Sequence, residues 1–237
     1  MSISASIAEA VILCGGQGTR LRAVLPNLPK VLAPVAGRPF VTYQLRLLAD
    51  LGVLRVVLST GYMGEAVREV LGQRQHGMEL VYSHEETPLD TGGALRLALP
   101  YLEGSEVLVL NGDSFLDADL SPMITPLSSP PPCLLAAANL MDTSRFGRLL
   151  LTDTHEVTAF LEKGLAGPGY INAGIYRFKR ATLATIPPDR PVSLEREFFP
   201  DMIGKGLYAR PLSGAFVDIG TPESFTMAEE FFHDFAG

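Results

Sequence analysis

Through its first half the chain alternates short apolar runs with segments whose apolar residues recur at helical spacing. That alternation confines it to a mainly parallel sheet with helices packed on the faces. Residues 10–13 read as the first strand. In residues 39–51, Phe40, Tyr43, Leu47, Leu48 and Leu51 share one helical face, with Pro39 at the start and Gly52 just past the end. Residues 54–59, 78–82 and 107–110 read as further strands, and helices at Met63, Val67, Val70 and Leu71 and at residues 93–99 fall between them. The second half is less regular. Candidate strands at residues 134–141, 149–151, 157–161, 171–178 and 215–219 extend the sheet with antiparallel members. Residues 128–132, with three consecutive prolines, read as a surface loop. Thr221-Pro222-Glu223 supplies an N-cap, a first-turn proline and a dipole-matched acid for a last helix running to about Phe235. The expected fold is α/β, a Rossmann-like mixed, mainly parallel sheet flanked by helices.

The glycine-rich turn after the first strand carries the first sign of chemistry. Val11-Ile12-Leu13-Cys14 runs into Gly15-Gly16-Gln17-Gly18-Thr19-Arg20-Leu21, and Pro29-Lys30 follows. Glycines let backbone N–H groups surround a phosphate because no Cβ holds the ligand away. Arg20 and Lys30 add countercharge to the same anion, which suits charge building on a phosphorus centre. The plain alternative is a tight loop. The pattern is not a P-loop, since no Gly-Lys-Ser/Thr closes it, and Leu21 stands where a dinucleotide fingerprint needs its third glycine.

Two aspartates stand at strand ends. Asp113 follows Asn111-Gly112 after residues 107–110, and Asp218 ends Phe216-Val217 before Ile219-Gly220-Thr221. In isolation each is an Asx turn. Converging on one crevice they suit Mg²⁺, which takes a few hard oxygens and completes its shell with water and phosphate.

Composition narrows the classes further. With 47% hydrophobic and 19% charged residues in 237, a sizeable core can be buried and disorder is not expected. No apolar run approaches the roughly 20 residues of a membrane span, and residues 1–8 lack the basic start of a secretory signal. Two cysteines, Cys14 and Cys133, make neither a disulfide framework nor a four-ligand metal site, and His76, His84, His155 and His233 share no ligand spacing. A reducing cytoplasm is expected. A net charge of −7 argues against nucleic acid, while Arg20, Lys30 and Lys163 can still form a local positive pocket.

The string G-G-x-G-T-R-L followed by P-K resembles the nucleotidyltransferases that make nucleoside-diphosphate sugars, residue for residue and with the same gap. The resemblance runs from about Val11 to Thr221. It implies a nucleotide-diphospho-sugar transferase fold and catalytic roles for Arg20, Lys30 and Asp113. It also implies Mg²⁺ held by Asp113 and Asp218, matching the family's G-D and D-x-G-T aspartates. Nucleotide contacts are implied from Leu13, Gly15, Gly16, Gly18, Thr19, Arg20, Glu85, Thr91, Gly92, Gly93 and Asp113. Sugar-phosphate contacts are implied from Gly147, Glu162, Lys163, Asn172 and Ala173. Asp90 and Cys14 depart from the glycine and alanine that relatives often carry, and Gly164 replaces the proline that usually follows the Glu-Lys pair. No C-terminal β-helix domain has room after Thr221, so a single domain over residues 1–237 is expected. Any homo-oligomer must then assemble through it.

Leu89-Asp90-Thr91-Gly92-Gly93-Ala94, residues 170–176 and Ser193-Leu194-Glu195-Arg196-Glu197 look most like the D-glycero-α-D-manno-heptose 1-phosphate guanylyltransferases. That implies GTP and a heptose 1-phosphate feeding capsule or surface-polysaccharide synthesis, with Glu85 or Glu86 accepting hydrogen bonds from guanine. Enzymes for mannose, glucose and N-acetylmuramate phosphates share the same motifs. A non-catalytic regulatory homologue would be expected to lose Lys30, Asp113 or Asp218, and all three are present.

Overall fold

The expected alternation is realised in the computed structural model, which describes residues 7–16, 18–21 and 25–235. Gln17 of the glycine-rich turn and residues 1–6 lie outside the described residues. In chain order the first half comprises β1 (Glu9–Leu13), β2 (Pro34–Val35), β3 (Arg38–Pro39), α1 (Phe40–Asp50), β4 (Arg55–Thr60), α2 (Gly64–Leu71), β5 (Arg74–Gln75), β6 (Met78–His84), α3 (Asp90–Ala98) and β7 (Glu106–Asn111). The second half adds β8 (Ser114–Asp117), α4 (Ser121–Ile124), β9 (Cys133–Leu140), β10 (Arg148–Leu151), β11 (Val157–Leu161) and β12 (Gly169–Lys179). It closes with α5 (Arg180–Leu183), α6 (Phe199–Met202), β13 (Leu207–Leu212), β14 (Ala215–Asp218) and α7 (Pro222–Phe235).

Ten strands form one sheet in the order β11-β10-β12-β7-β1-β4-β6-β5, with β9 joining β12 to β13. β1 runs parallel to β4 and β7, and β4 parallel to β6. β12 enters antiparallel to both β7 and β9, as expected for a mixed extension. The central strands bury both faces. Ile12, Leu58 and Leu110 pack with Val41, Leu45 and Leu48 of α1 on one side, while Val11, Val57 and Val109 pack with Leu95 and Ala98 of α3 on the other.

A third cluster ties the C-terminal helix to the site. β14 pairs antiparallel with β8, and Phe232 of α7 stacks on Tyr43 at 3.9 Å and meets the Phe115 ring edge-on at 5.0 Å. Aromatic contacts of this kind add about 0.5–1.5 kcal/mol each beyond area burial. They fix the β8–β14 ribbon against α1. α3 begins at Asp90, three residues before the expected start, and Asp90 itself has a left-handed φ of 56°.

Candidate active site

β1 and β7 are parallel neighbours with Leu13 opposite Asn111, so their carboxyl ends open at the same edge of the sheet. Gly112 donates its N–H to the Leu13 carbonyl at 3.0 Å, and a Cβ there would press on that oxygen and lie 2.8 Å from Val31 Cγ1. Only glycine allows this approach, and it delivers Asp113 beside the glycine-rich turn. A cavity of about 570 Å³ lies at the junction. Leu13, Gly15, Gly16, Gly18, Thr19, Lys30, Glu85, Thr91 and Asp113 all line it, whereas Arg20, Gly92 and Gly93 do not.

The charge balance of this lining is unusual for an anion site. Its described residues include four carboxylates, Glu85, Asp90, Asp113 and Glu195, against the single cation Lys30. Lys30 Nζ donates to Asp113 Oδ2 at 2.5 Å. The Asp113 carbonyl accepts from Ile219 N at 2.9 Å, and Asp218 pairs with Ser114 in the ribbon, so the two aspartates are neighbours in backbone position. Their carboxylates take different partners. Asp218 accepts from Ser224 Oγ and Gly220 N at 2.8 Å each, and from Arg145 Nη2 at 3.0 Å. Arg20 stands on this side, with Nη2 3.8 Å from the place a Gly220 Cβ would occupy, and is not among the cavity's lining residues. Cys14 at the cavity is no nucleophile, because burial pushes its thiol up to about 12.

Glu85 is wedged between two glycines. A Cβ on Gly15 would lie 2.5 Å from Glu85 Oε1, and one on Gly61 would lie 2.6 Å from it. Oε2 accepts from Leu89 N at 3.1 Å. Burial raises the carboxyl above its ordinary range, the Leu89 N–H lowers it, the charge of Asp90 raises it and His84 lowers it. A raised folded value contributes stability that is present in acid and lost as pH rises through it. Glu85→Gln is therefore expected to melt higher than the parent at neutral pH, with the difference vanishing in acid. Thermal melts across pH check this.

The turn opening α3 is used differently from the expectation. Thr91 reaches the cavity, but Gly92 and Gly93 pack underneath it. Both donate N–H to the Val192 carbonyl, and a Cβ on either would lie within 2.9 Å of the Val192 or Arg190 carbonyl. Their smallness seats the segment after Arg190 rather than lining the cavity. That segment brings Glu195 to the cavity. Thr91 Oγ1 donates to Glu195 Oε2 at 2.9 Å, and Leu194 N donates to Thr91 Oγ1 at 2.8 Å. Leu194–Phe198 is a π-helix capped by Ser193, a rare element often found at functional sites.

The residues expected to hold the sugar phosphate form a separate group. Arg148 pairs with Leu161 on one side and Ile171 on the other, so Gly147, Glu162 and Asn172 fall on the next step of the same ladder. A Cβ on Gly147 would lie 2.9 Å from the Leu161 carbonyl. Glu162 and Lys163 are exposed. Asn172 uses its carboxamide internally, donating to Tyr176 Oη at 3.0 Å and accepting from Gly174 N at 2.9 Å, and Ala173 is fully buried. Arg148, unmarked in the sequence, ties the loop after Lys163 by donating to the carbonyls of Leu165, Ala166 and Gly167.

Residues 9–234 match the Nucleotidyl transferase family. The chain belongs to that family. It is 35% identical to a D-glycero-alpha-D-manno-heptose 1-phosphate guanylyltransferase of Aneurinibacillus thermoaerophilus, over 94% of this chain and 97% of the relative. It is 36% identical to a mannose-1-phosphate guanylyltransferase of Mycobacterium tuberculosis, over 92% of this chain but 62% of that longer protein. The crystal structure of HddC from Yersinia pseudotuberculosis superposes with a TM-score of 0.85 at 31% identity, covering 95% of this chain and all of that one. A second HddC structure, complexed with GMP-PN, gives 0.84. These matches agree with the expected family, fold and reaction class.

Proposed function

We propose that this nucleotidyltransferase joins GTP to a heptose 1-phosphate, releasing pyrophosphate. The supporting observation is the glycine-lined cavity in which Lys30 and Asp113 meet at 2.5 Å. The similarity to heptose 1-phosphate guanylyltransferases spans nearly the full length of both chains. In the reaction an oxygen of the sugar phosphate attacks the α-phosphorus, a new P–O bond forms, the bond to the β-phosphate bridging oxygen breaks, and pyrophosphate leaves opposite. A phosphate monoester is already ionised at neutral pH, so the chain needs no general base. Gly15, Gly16 and Gly18 cradle phosphate oxygens, Lys30 stabilises charge at the α-phosphorus and Arg20 neutralises the leaving pyrophosphate. Glu85 accepts from the guanine ring N–H and amino group, and Gly147, Glu162 and Lys163 hold the sugar phosphate.

Mg²⁺ fits the donor set. A triphosphate entering a lining with four carboxylates and one lysine needs further positive charge, and Asp113, in the turn before β8, and Asp218, at the end of the paired strand β14, offer hard oxygens. Among the described residues no cluster of three or more His, Cys, Asp or Glu forms a metal cage, so phosphate and water would complete the shell. The ion would supply countercharge to the phosphates. No described helix is long and apolar enough to cross a membrane, and a cytoplasmic setting for surface-polysaccharide precursors accords with this.

Pyrophosphate release measured with the four common triphosphates against heptose, mannose, glucose and N-acetylmuramate 1-phosphates tests the assignment. GTP with heptose 1-phosphate is expected to give the highest kcat/KM. Preference for mannose 1-phosphate would support the second reading, for which the 36% identity to the mycobacterial enzyme speaks. No turnover with any pair would sink both.

A further inference from the structure

The buried face of α1 is apolar except at one position. Phe40, Val41, Tyr43, Leu45 and Leu48 are buried there, and so is Gln44, at 1% exposure. Its Nε2 donates to the carbonyls of Asn111 and Ser114, 2.8 Å each. Backbone carbonyls only accept, so the atom facing them is the nitrogen, and both its protons are committed. Its Oε1 is buried with no hydrogen-bond partner among the described residues. A core position would not hold a carboxamide with an unpaired acceptor unless its donor side were needed.

The two carbonyls bracket Gly112 and Asp113. Between them the Asp113 carbonyl is held by Ile219 N, and Gly112 N is held by Leu13. Gln44 is thus the side chain that closes the frame of this turn from below, while Lys30 meets the Asp113 carboxylate. We propose that Gln44 is a positioning residue for nucleotidyl transfer, clamping both ends of the Asn111–Ser114 turn so that Asp113 meets Lys30 and the divalent ion in register. The inference rests on the role given to Asp113 under Proposed function. Gln44 does not line the cavity and touches neither substrate.

Gln44→Met keeps length and removes the donors. It is expected to lower kcat and weaken Mn²⁺ binding in the presence of GTP, read by electron paramagnetic resonance, each about 10- to 100-fold. Both KM values should stay within about twofold, since no binding contact is lost. Gln44→Glu adds a readout that simple loss of packing would not move. The neutral acid can donate one bond and the ionised form none, so its rate, relative to the parent, should fall as pH rises. A folded Gln44→Met with unchanged kcat and Mn²⁺ affinity overturns the proposal. If Gln44→Met fails to fold, a Gln44→Glu pH profile identical to the parent's overturns it instead. Failure of both to fold also overturns it, since Gln44 would then serve only the core. An inactive parent chain defeats the transferase reading itself, whereas an active parent with unaffected variants defeats only the role of Gln44.

Discussion

Lys30→Ala is expected to give a folded protein whose turnover is lower by a hundredfold or more. Lys30 opens a 3-10 turn whose following residues, Val31 and Leu32, are buried and hold the segment in place without the ammonium group. Its partner Asp113 has a side chain 44% exposed, so removing the lysine leaves a hydrated carboxylate rather than a buried orphan. Partly exposed pairs of this kind contribute about 0–1 kcal/mol, so the melting temperature should hardly move. The rate is another matter. Lys30 is the one cation among the described residues lining a cavity with four carboxylates. Removing such a charge from a developing phosphorane costs roughly 3 kcal/mol of transition-state stabilisation. Lys30→Arg should restore little, because a planar guanidinium does not replace a compact ammonium against one carboxylate oxygen. Single-turnover pyrophosphate release alongside a thermal melt checks the separation, and near-parental turnover would remove Lys30 from the mechanism.

The parts of this molecule legible from sequence are those whose signal is local. Apolar runs such as Val107-Leu108-Val109-Leu110 mark central strands because both their faces are buried. The glycine-rich turn was legible because the spacing of its glycines is local, and Gly15, Gly16 and Gly18 do line the cavity. β13 escaped because Arg210 and Pro211 break the apolar run of a strand paired to β9. The short strand β8 was hidden behind the Asn111-Gly112-Asp113 motif that precedes it. Glu195 and Gln44 escaped for a different reason. Glu195 gains its place through Thr91, 104 positions away, and Gln44 through carbonyls 67 and 70 positions away. Nothing within a helical turn of either residue announces those partners. The same limit explains Gly92 and Gly93, whose motif reads as a ligand approach but whose neighbours are the Val192 and Arg190 carbonyls.

Gly112→Ala is expected to damage stability and rate together, and Gly16→Ala to separate them. A methyl on Gly112 would meet the Leu13 carbonyl and lie 2.8 Å from Val31 Cγ1. Leu13 is held in β1 between β4 and β7, and Val31 is 3% exposed, so neither can withdraw. Overpacking of this sort costs about 1–3 kcal/mol. At this chain length each kcal/mol lowers the melting temperature by about 2–4 °C. The strain is relieved most easily by pushing the turn outward, which carries Asp113 away from Lys30. A shift of about 1 Å at a reacting centre costs on the order of a hundredfold in rate. Among the described residues no atom lies within 4 Å of the place a Gly16 Cβ would occupy, yet Gly16 lines the cavity. An alanine there meets none of them but, on the proposed function, stands where a phosphate oxygen approaches the backbone. Its melting temperature should match the parent's while KM for the triphosphate rises. Equal effects of the two substitutions on stability would contradict the placement of both glycines. A normal rate for a folded Gly112→Ala would show that Asp113 does not depend on the turn it stands in.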